Sequence, residues 1–213
     1  VEITLNRSNF NLSTLILGNF ANIIIISSRF MSGADGSNDI TFFMYAVVLL
    51  NALLTAVIGN VSTILLRNIT INKSTVLMMY SLFTSIFLGL IMVLVLYFYN
   101  TDIVKFVYLR GAFNIYDVEQ TASYLYELSY AFLLLFVSTI LFQPFLTLPI
   151  DKTKKIRLFM VIIFLFSISF SVVFSEFNLY TSRESSLLLM YISSASSLII
   201  SIFSYFKYIK YVK

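Results

Sequence analysis

The sequence predicts an all-α, polytopic integral membrane protein with six transmembrane helices and both termini in the cytoplasm. Three observations predict it. Hydrophobic residues make up 59% of the chain and charged residues only 11%, with a mean hydropathy of +0.92, whereas about a quarter of the residues of a soluble domain are charged. Six runs contain no Asp, Glu, Lys or Arg: Ser8 to Ser28, Ile40 to Leu66, Ser74 to Thr101, Leu128 to Ile150, Leu158 to Ser175 and Ser185 to Phe206. Each is near or above the ~18–20 residues that cross a bilayer. The basic residues fall unequally on alternate connections. One side holds Arg7, Arg67, Lys73, Lys152, Lys154, Lys155, Arg157, Lys207, Lys210 and Lys213, and the other only Arg29, Lys105, Arg110 and Arg183. The richer side is cytoplasmic by the positive-inside rule.

The spans are expected at about 8–28, 40–66, 74–101, 121–150, 158–175 and 185–206, forming a single six-helix lobe over 1–213. Helices are required because backbone groups in hydrocarbon must bond within their own segment, and the alternating ten-residue strands of a barrel are absent. The first run is too long for a signal peptide, only Arg7 precedes it as a basic residue, and five more runs follow. It carries Asn19 and Asn22, three residues apart on one face, with Arg29 two turns further along roughly the same face. The second run carries Asn51 and Asn60, and amides at such depth need partners on other helices, water or a ligand.

After the third run, "IVKFVYLRGAF" (Ile103 to Phe113) is too short to span and too apolar for a free loop. It reads as an interfacial or re-entrant segment, with Lys105 and Arg110 toward headgroups and Gly111 ending it. Asp117 and Gln120 have the spacing of a capping box, so the fourth helix is expected to start at Asp117. Glu127 then sits near the outer boundary, where a carboxylate reaches water, and Pro144 beside Gln143 is expected to kink the cytoplasmic half. "DKTKKIR" (Asp151 to Arg157) reads as a tight basic cytoplasmic turn, and "YFKYIKYVK" at the end as an interfacial anchor beside anionic lipid.

Absent residue types exclude whole chemistries. There is no Cys and no His, hence no thiol nucleophile, thiolate metal site or imidazole proton shuttle. The close acidic pairs, Asp35 with Asp39 and Asp117 with Glu119, lie in loop-like sequence with no phosphate cradle or metal-ligand spacing nearby, and read as solvated charge. No enzyme, cofactor or metal is expected. The net charge of +4 is a membrane-surface signature that leaves no solvated basic face for nucleic acid.

Two stretches carry a resemblance. The segment from Val107 to Ile156, with "RGAF", Asp117, "TASYL" and the "DKTKK" turn in that order, is similar to the MurJ/MviN lipid II flippase family. Ile16 to Leu66 resembles the start of the C-terminal half of such flippases, with a Gly-Ser loop followed by "YA" and a Gly-containing helix. The sequence departs from the family at Val48, where the family carries an Arg that engages the substrate's phosphates, and at Arg67 and Lys155, where it carries Pro.

The resemblance implies a lobe of the multidrug/oligosaccharidyl-lipid/polysaccharide exporter superfamily. Such a lobe works by alternating access against a second six-helix lobe in a bacterial-type cytoplasmic membrane, moving a lipid-linked saccharide. A half or fragment needing a second lobe or other membrane subunits is the expectation for this chain. Asn22, Arg29, Asn51 and Glu127 are its expected substrate-binding groups. Two alternatives stand beside it: a non-transporting, degenerate lobe that scaffolds a larger membrane complex, and an exporter of small cations or drugs.

Overall fold

The computed structural model describes residues 12–34, 36, 38–52, 75–109, 113–146, 148, 150–177 and 180–212. Residues 8–11 of the first expected span, residues 53–66 of the second with Asn60, and Arg7, Asp35, Arg67, Lys73, Arg110, Gly111, Pro149 and Lys213 lie outside them, as does the side chain of Gln143. Among the described residues the chain is all helical. Its elements are α1 (Leu12–Gly18), α2 (Phe20–Ser32), α3 (Asp39–Ala52), α4 (Thr75–Tyr108), α5 (Ile115–Leu146), α6 (Ile150–Phe177) and α7 (Ser182–Val212).

Among the described residues, four helices contain segments long and apolar enough to cross a membrane: Leu82–Tyr108, Ile115–Phe142, Thr153–Phe177 and Ser182–Lys210. The pair α1–α2 makes a fifth when counted as one broken span. α3, as described, is shorter than a span. This is a multi-pass membrane protein. α5 is its centre, packed on α7 and α4, while α7 also contacts α2 and α6.

The first span is not continuous. It bends by 69° between Gly18 and Asn19 and then runs on to Ser32, so Arg29 lies within α2 instead of following the span. Local chemistry permits the break. Gly18 is a poor helix former, the Asn19 amide donates back to Leu15 O at 3.0 Å, and its own N–H reaches Ile16 O at 3.1 Å. Packing fixes the angle, because Phe20 is buried edge-on to Phe142 and Phe164, at 6.1 and 6.3 Å. The α2–α3 turn needs a glycine at Gly36, whose φ is +72°.

α4 runs on through Ile103–Tyr108, the first six residues of the segment expected to be a separate interfacial piece. No helix breaker stands between Asn100 and Tyr108, Val104 is buried, and the Tyr108 hydroxyl donates to Tyr45 O at 3.2 Å, which ties the last turn to α3. α5 likewise starts two residues earlier than expected. Its capping box is Asn114 with Asp117: Asn114 Oδ1 accepts the Asp117 N–H at 3.0 Å and Asp117 Oδ2 accepts the Asn114 N–H at 2.9 Å. Pro144, expected to kink the cytoplasmic half of this helix, sits in the last turn of α5, which ends at Leu146.

Small residues let the helices approach. Ser167, Ser171 and Ser175 on α6, and Ser186, Ser193, Ser197 and Ser204 on α7, are all buried. Most of these hydroxyls donate to carbonyls of their own helix, as Ser171 does to Ser167 O, and the contact between Ser196 and Ser167 at 2.9 Å crosses from α7 to α6. The Ser204 hydroxyl also meets Met160 Sδ of α6 at 3.4 Å, so small polar residues line the α6–α7 contact.

Candidate functional site

α2 and α3 run antiparallel across a short turn, and Gly33 lies against the Ile40 side chain. Counting from that contact, at 1.5 Å per residue, Arg29 is level with Met44 and Asn22 is level with Asn51, about 16 Å from the turn. Asn22, Arg29, Val48 and Asn51 are all exposed. Between the two helices lies a cleft of about 300 Å³ lined by Arg29, Ile40, Thr41, Met44, Tyr45 and Val48. Of the four residues expected to bind substrate, Arg29 lines this cleft, while Asn22 on α2 and Asn51 on α3 are exposed further from the turn. Asn19 does not join them, because its amide is turned back onto α1.

These exposed positions are polar where hydrocarbon would be the default neighbour. The side chains of Asn22 and Asn51 have no hydrogen-bond partner among the described residues, and the Arg29 guanidinium has no ion-pair partner among them. An unbonded amide in an apolar medium costs roughly 2–7 kcal/mol. An Arg facing lipid at a helix centre costs about 3 kcal/mol on insertion scales.

A second cleft opens on the other side of α3. It measures about 580 Å³ and is lined by Asn38, Thr41, Phe42, Tyr45, Val107, Tyr108, Phe113 and Asp117. Tyr45, Tyr108 and Phe113 pack against one another there, with ring centroids 4.8 to 5.6 Å apart. The extension of α4 to Tyr108 and the early start of α5 are what bring these residues together. Thr41 and Tyr45, one turn apart on α3, line both clefts.

Glu127, the fourth expected residue, belongs elsewhere. It faces α7, where Arg183 Nη2 donates to its Oε1 at 2.9 Å, with about a quarter of the Arg183 side chain and a third of the Glu127 side chain exposed. Arg183 also donates to Ser123 Oγ at 2.6 Å and Gln120 Oε1 at 3.1 Å, and its guanidinium lies 4.4 Å from the centre of the Tyr124 ring. Tyr191 donates to the Glu127 carbonyl. This cluster clamps α5 to α7, and Glu127 is an ion-pair partner there, not part of the cleft beside Arg29.

Sequence reasoning missed Arg183 as a functional contact. The signal was present in "TSRE": Thr181 and Glu184 form a capping box, with Glu184 Oε2 accepting the Thr181 N–H at 3.0 Å, which fixes Arg183 in the first turn of α7. Its partner α5 was not readable from spacing.

Arg157 was also misread. It is not a turn residue but a fully buried one, in the second turn of α6. Its Nη1 donates to Thr14 Oγ1 at 2.7 Å, Nη2 to Leu148 O at 2.8 Å and Nε to Thr153 Oγ1 at 2.9 Å. One guanidinium joins α1, the α5–α6 connection and α6. The segment Asp151 to Arg157, expected to be a tight turn, is thus the start of α6, and Lys154 and Lys155 within it are exposed.

Among the described residues no group of three or more acidic side chains could hold a metal ion. Compared with known proteins, the chain matches no family model, no curated protein and no solved structure.

Proposed function

We propose that this chain is a six-span lobe, with both termini in the cytoplasm, that moves a lipid-linked saccharide across a bacterial-type cytoplasmic membrane by alternating access against a second transmembrane lobe. One observation carries the reading: polar side chains stand exposed on α2 and α3, Asn22 and Arg29 on the first and Asn51 on the second, with Arg29 lining the cleft between them. Such groups are stable beside a water-filled cavity or another protein and unstable beside acyl chains. A cavity between two lobes supplies the water, and a polar headgroup passing through it finds a guanidinium and amides. The apolar outer faces of α4 and α6, with Phe87, Leu94, Phe98, Phe159, Phe166 and Phe170 exposed, suit the opposite side, toward lipid.

Val48 favours a second reading, a degenerate lobe that scaffolds a larger membrane complex. It is 52% exposed and lines the Arg29 cleft, at the position where the flippase resemblance places a phosphate-binding Arg. The small-cation exporter has less support, because Glu127 is held by Arg183. Native mass spectrometry of the gently purified chain separates these readings. A complementary transmembrane partner with a co-purifying polyprenyl-phosphate sugar is the result expected of a flippase lobe. A large assembly without such a lipid would replace it with the scaffold.

A further inference from the structure

The larger cleft, where α3 begins, α4 ends and α5 begins, is left unused by the proposed transport. At about 580 Å³ it is the size of a small-molecule site. Its one charged lining residue is Asp117, a carboxylate with no ion-pair partner among the described residues. The Asn114 N–H engages a single oxygen of it, Oδ2, at 2.9 Å. Arg29 does not answer this charge, because it lines the other cleft. Three aromatic rings stand beside the carboxylate. Tyr45, Tyr108 and Phe113 have centroids 4.8 to 5.6 Å apart and are inclined at 41° to 86°, so no two lie flat together, and each is partly exposed.

The Tyr108 hydroxyl is spent on Tyr45 O, so the ring itself is what Tyr108 offers the cleft. The face of an aromatic ring carries the negative part of its quadrupole and attracts an ammonium group, most strongly where water is displaced. A metal ion would gain little from rings and needs several oxygens, and among the described residues no group of three or more acidic side chains provides them. The geometry points to a binding site for an organic ammonium group, held against Tyr45, Tyr108 and Phe113 with Asp117 as its counter-ion. A soluble amine and the headgroup of a lipid such as phosphatidylethanolamine both present this chemistry. The site is independent of the flippase reading, which rests on Asn22, Arg29 and Asn51.

The test is an NMR titration of the full chain in maltoside micelles with choline and with its neutral isostere, the tert-butyl alcohol in which carbon replaces the choline nitrogen. Each probe is followed through its own methyl signal. Choline is expected to bind about tenfold or more tightly than the alcohol. Asp117→Asn keeps an acceptor for the Asn114 N–H and removes the charge, so it should erase that preference. Unchanged binding of the alcohol to this variant shows that the cleft is still formed. Tyr45→Leu should weaken choline by a similar factor, and Tyr45→Phe should restore it. Equal affinity for choline and the alcohol, a preference that survives Asp117→Asn or Tyr45→Leu, or binding of neither probe overturns the site. Displacement of choline then identifies the source. Short-chain phosphatidylethanolamine that displaces it where phosphatidylglycerol does not assigns the site to a lipid headgroup, and failure of both assigns it to a soluble amine. Equal displacement by both lipids would make the cleft an acyl-chain groove and overturns the proposal.

Discussion

Arg157 and Arg183 bring the same charge into this bundle with different consequences. Arg157 is fully buried, and among the described residues it donates to oxygens on α1, on the α5–α6 connection at Leu148 and on α6. Arg157→Ala removes these bonds and opens a cavity, so a loss of about 3 kcal/mol or more is expected in equilibrium unfolding. Arg157→Lys should restore little of it, because one ammonium cannot reach three acceptors held by a planar fork. The Arg183–Glu127 pair is partly wet, at 24% and 33% exposure, so screening reduces its worth. A double-mutant cycle with Arg183→Gln and Glu127→Gln should give a coupling on the order of 1 kcal/mol. A coupling of zero would mean that neutral contacts hold α5 to α7.

At the scale of elements, ends and close approaches decide the architecture. The reciprocal Asn114–Asp117 box sets where α5 begins, and Asn114→Ala should cost about 1 kcal/mol, read as a lower thermal midpoint. Gly89 is buried where α4 meets α5, and a Cβ there would run into the Leu133 methyl. The tip of Leu133 can shift for Gly89→Ala. A branched Val cannot be accommodated that way, so Gly89→Val is expected to cost about 1–3 kcal/mol, the usual penalty of overpacking. The serines of α6 and α7 obey the same logic. Ser204→Ala should be nearly neutral, whereas Ser204→Leu should separate the two helices, measurable as lost disulfide cross-linking between cysteines placed on them.

For the whole molecule, the decisive question is which face meets lipid and which meets water. The natural absence of Cys makes single-cysteine labelling clean. Asn22→Cys, Val48→Cys and Asn51→Cys are expected to react with a membrane-impermeant maleimide from one side. Phe87→Cys and Phe166→Cys, on the outer faces of α4 and α6, are expected to stay unreactive although their positions are just as exposed in the isolated chain. Uniform protection of both sets would place these α2 and α3 positions against lipid or a tight partner and remove the water-filled cavity.

The sequence by itself determined that this chain is a helical, multi-pass membrane protein. Uncharged runs and hydropathy are properties of composition along the chain, and a bilayer responds to them directly. It also singled out Asn22, Arg29 and Asn51, because costly polar residues stand out against an apolar background. Local spacing went less far. "DVEQ" and "NIYD" both fit a capping pattern, and only the folded chain, in which Gln120 turns to Arg183, selects the second. Tertiary structure alone decided that Arg157 is buried while Lys155 is exposed, that Glu127 pairs with Arg183 instead of joining the Arg29 cleft, and that Phe20 bends the first span. The aromatic cluster belongs to the same class, since it brings Tyr45 of α3 against Tyr108 and Phe113 at the α4–α5 connection, more than sixty residues away in the chain. The physical reason is shared by all four: each depends on which helices touch, and along a helix apolar on every side, as α4 is, the pattern does not say which face finds a partner.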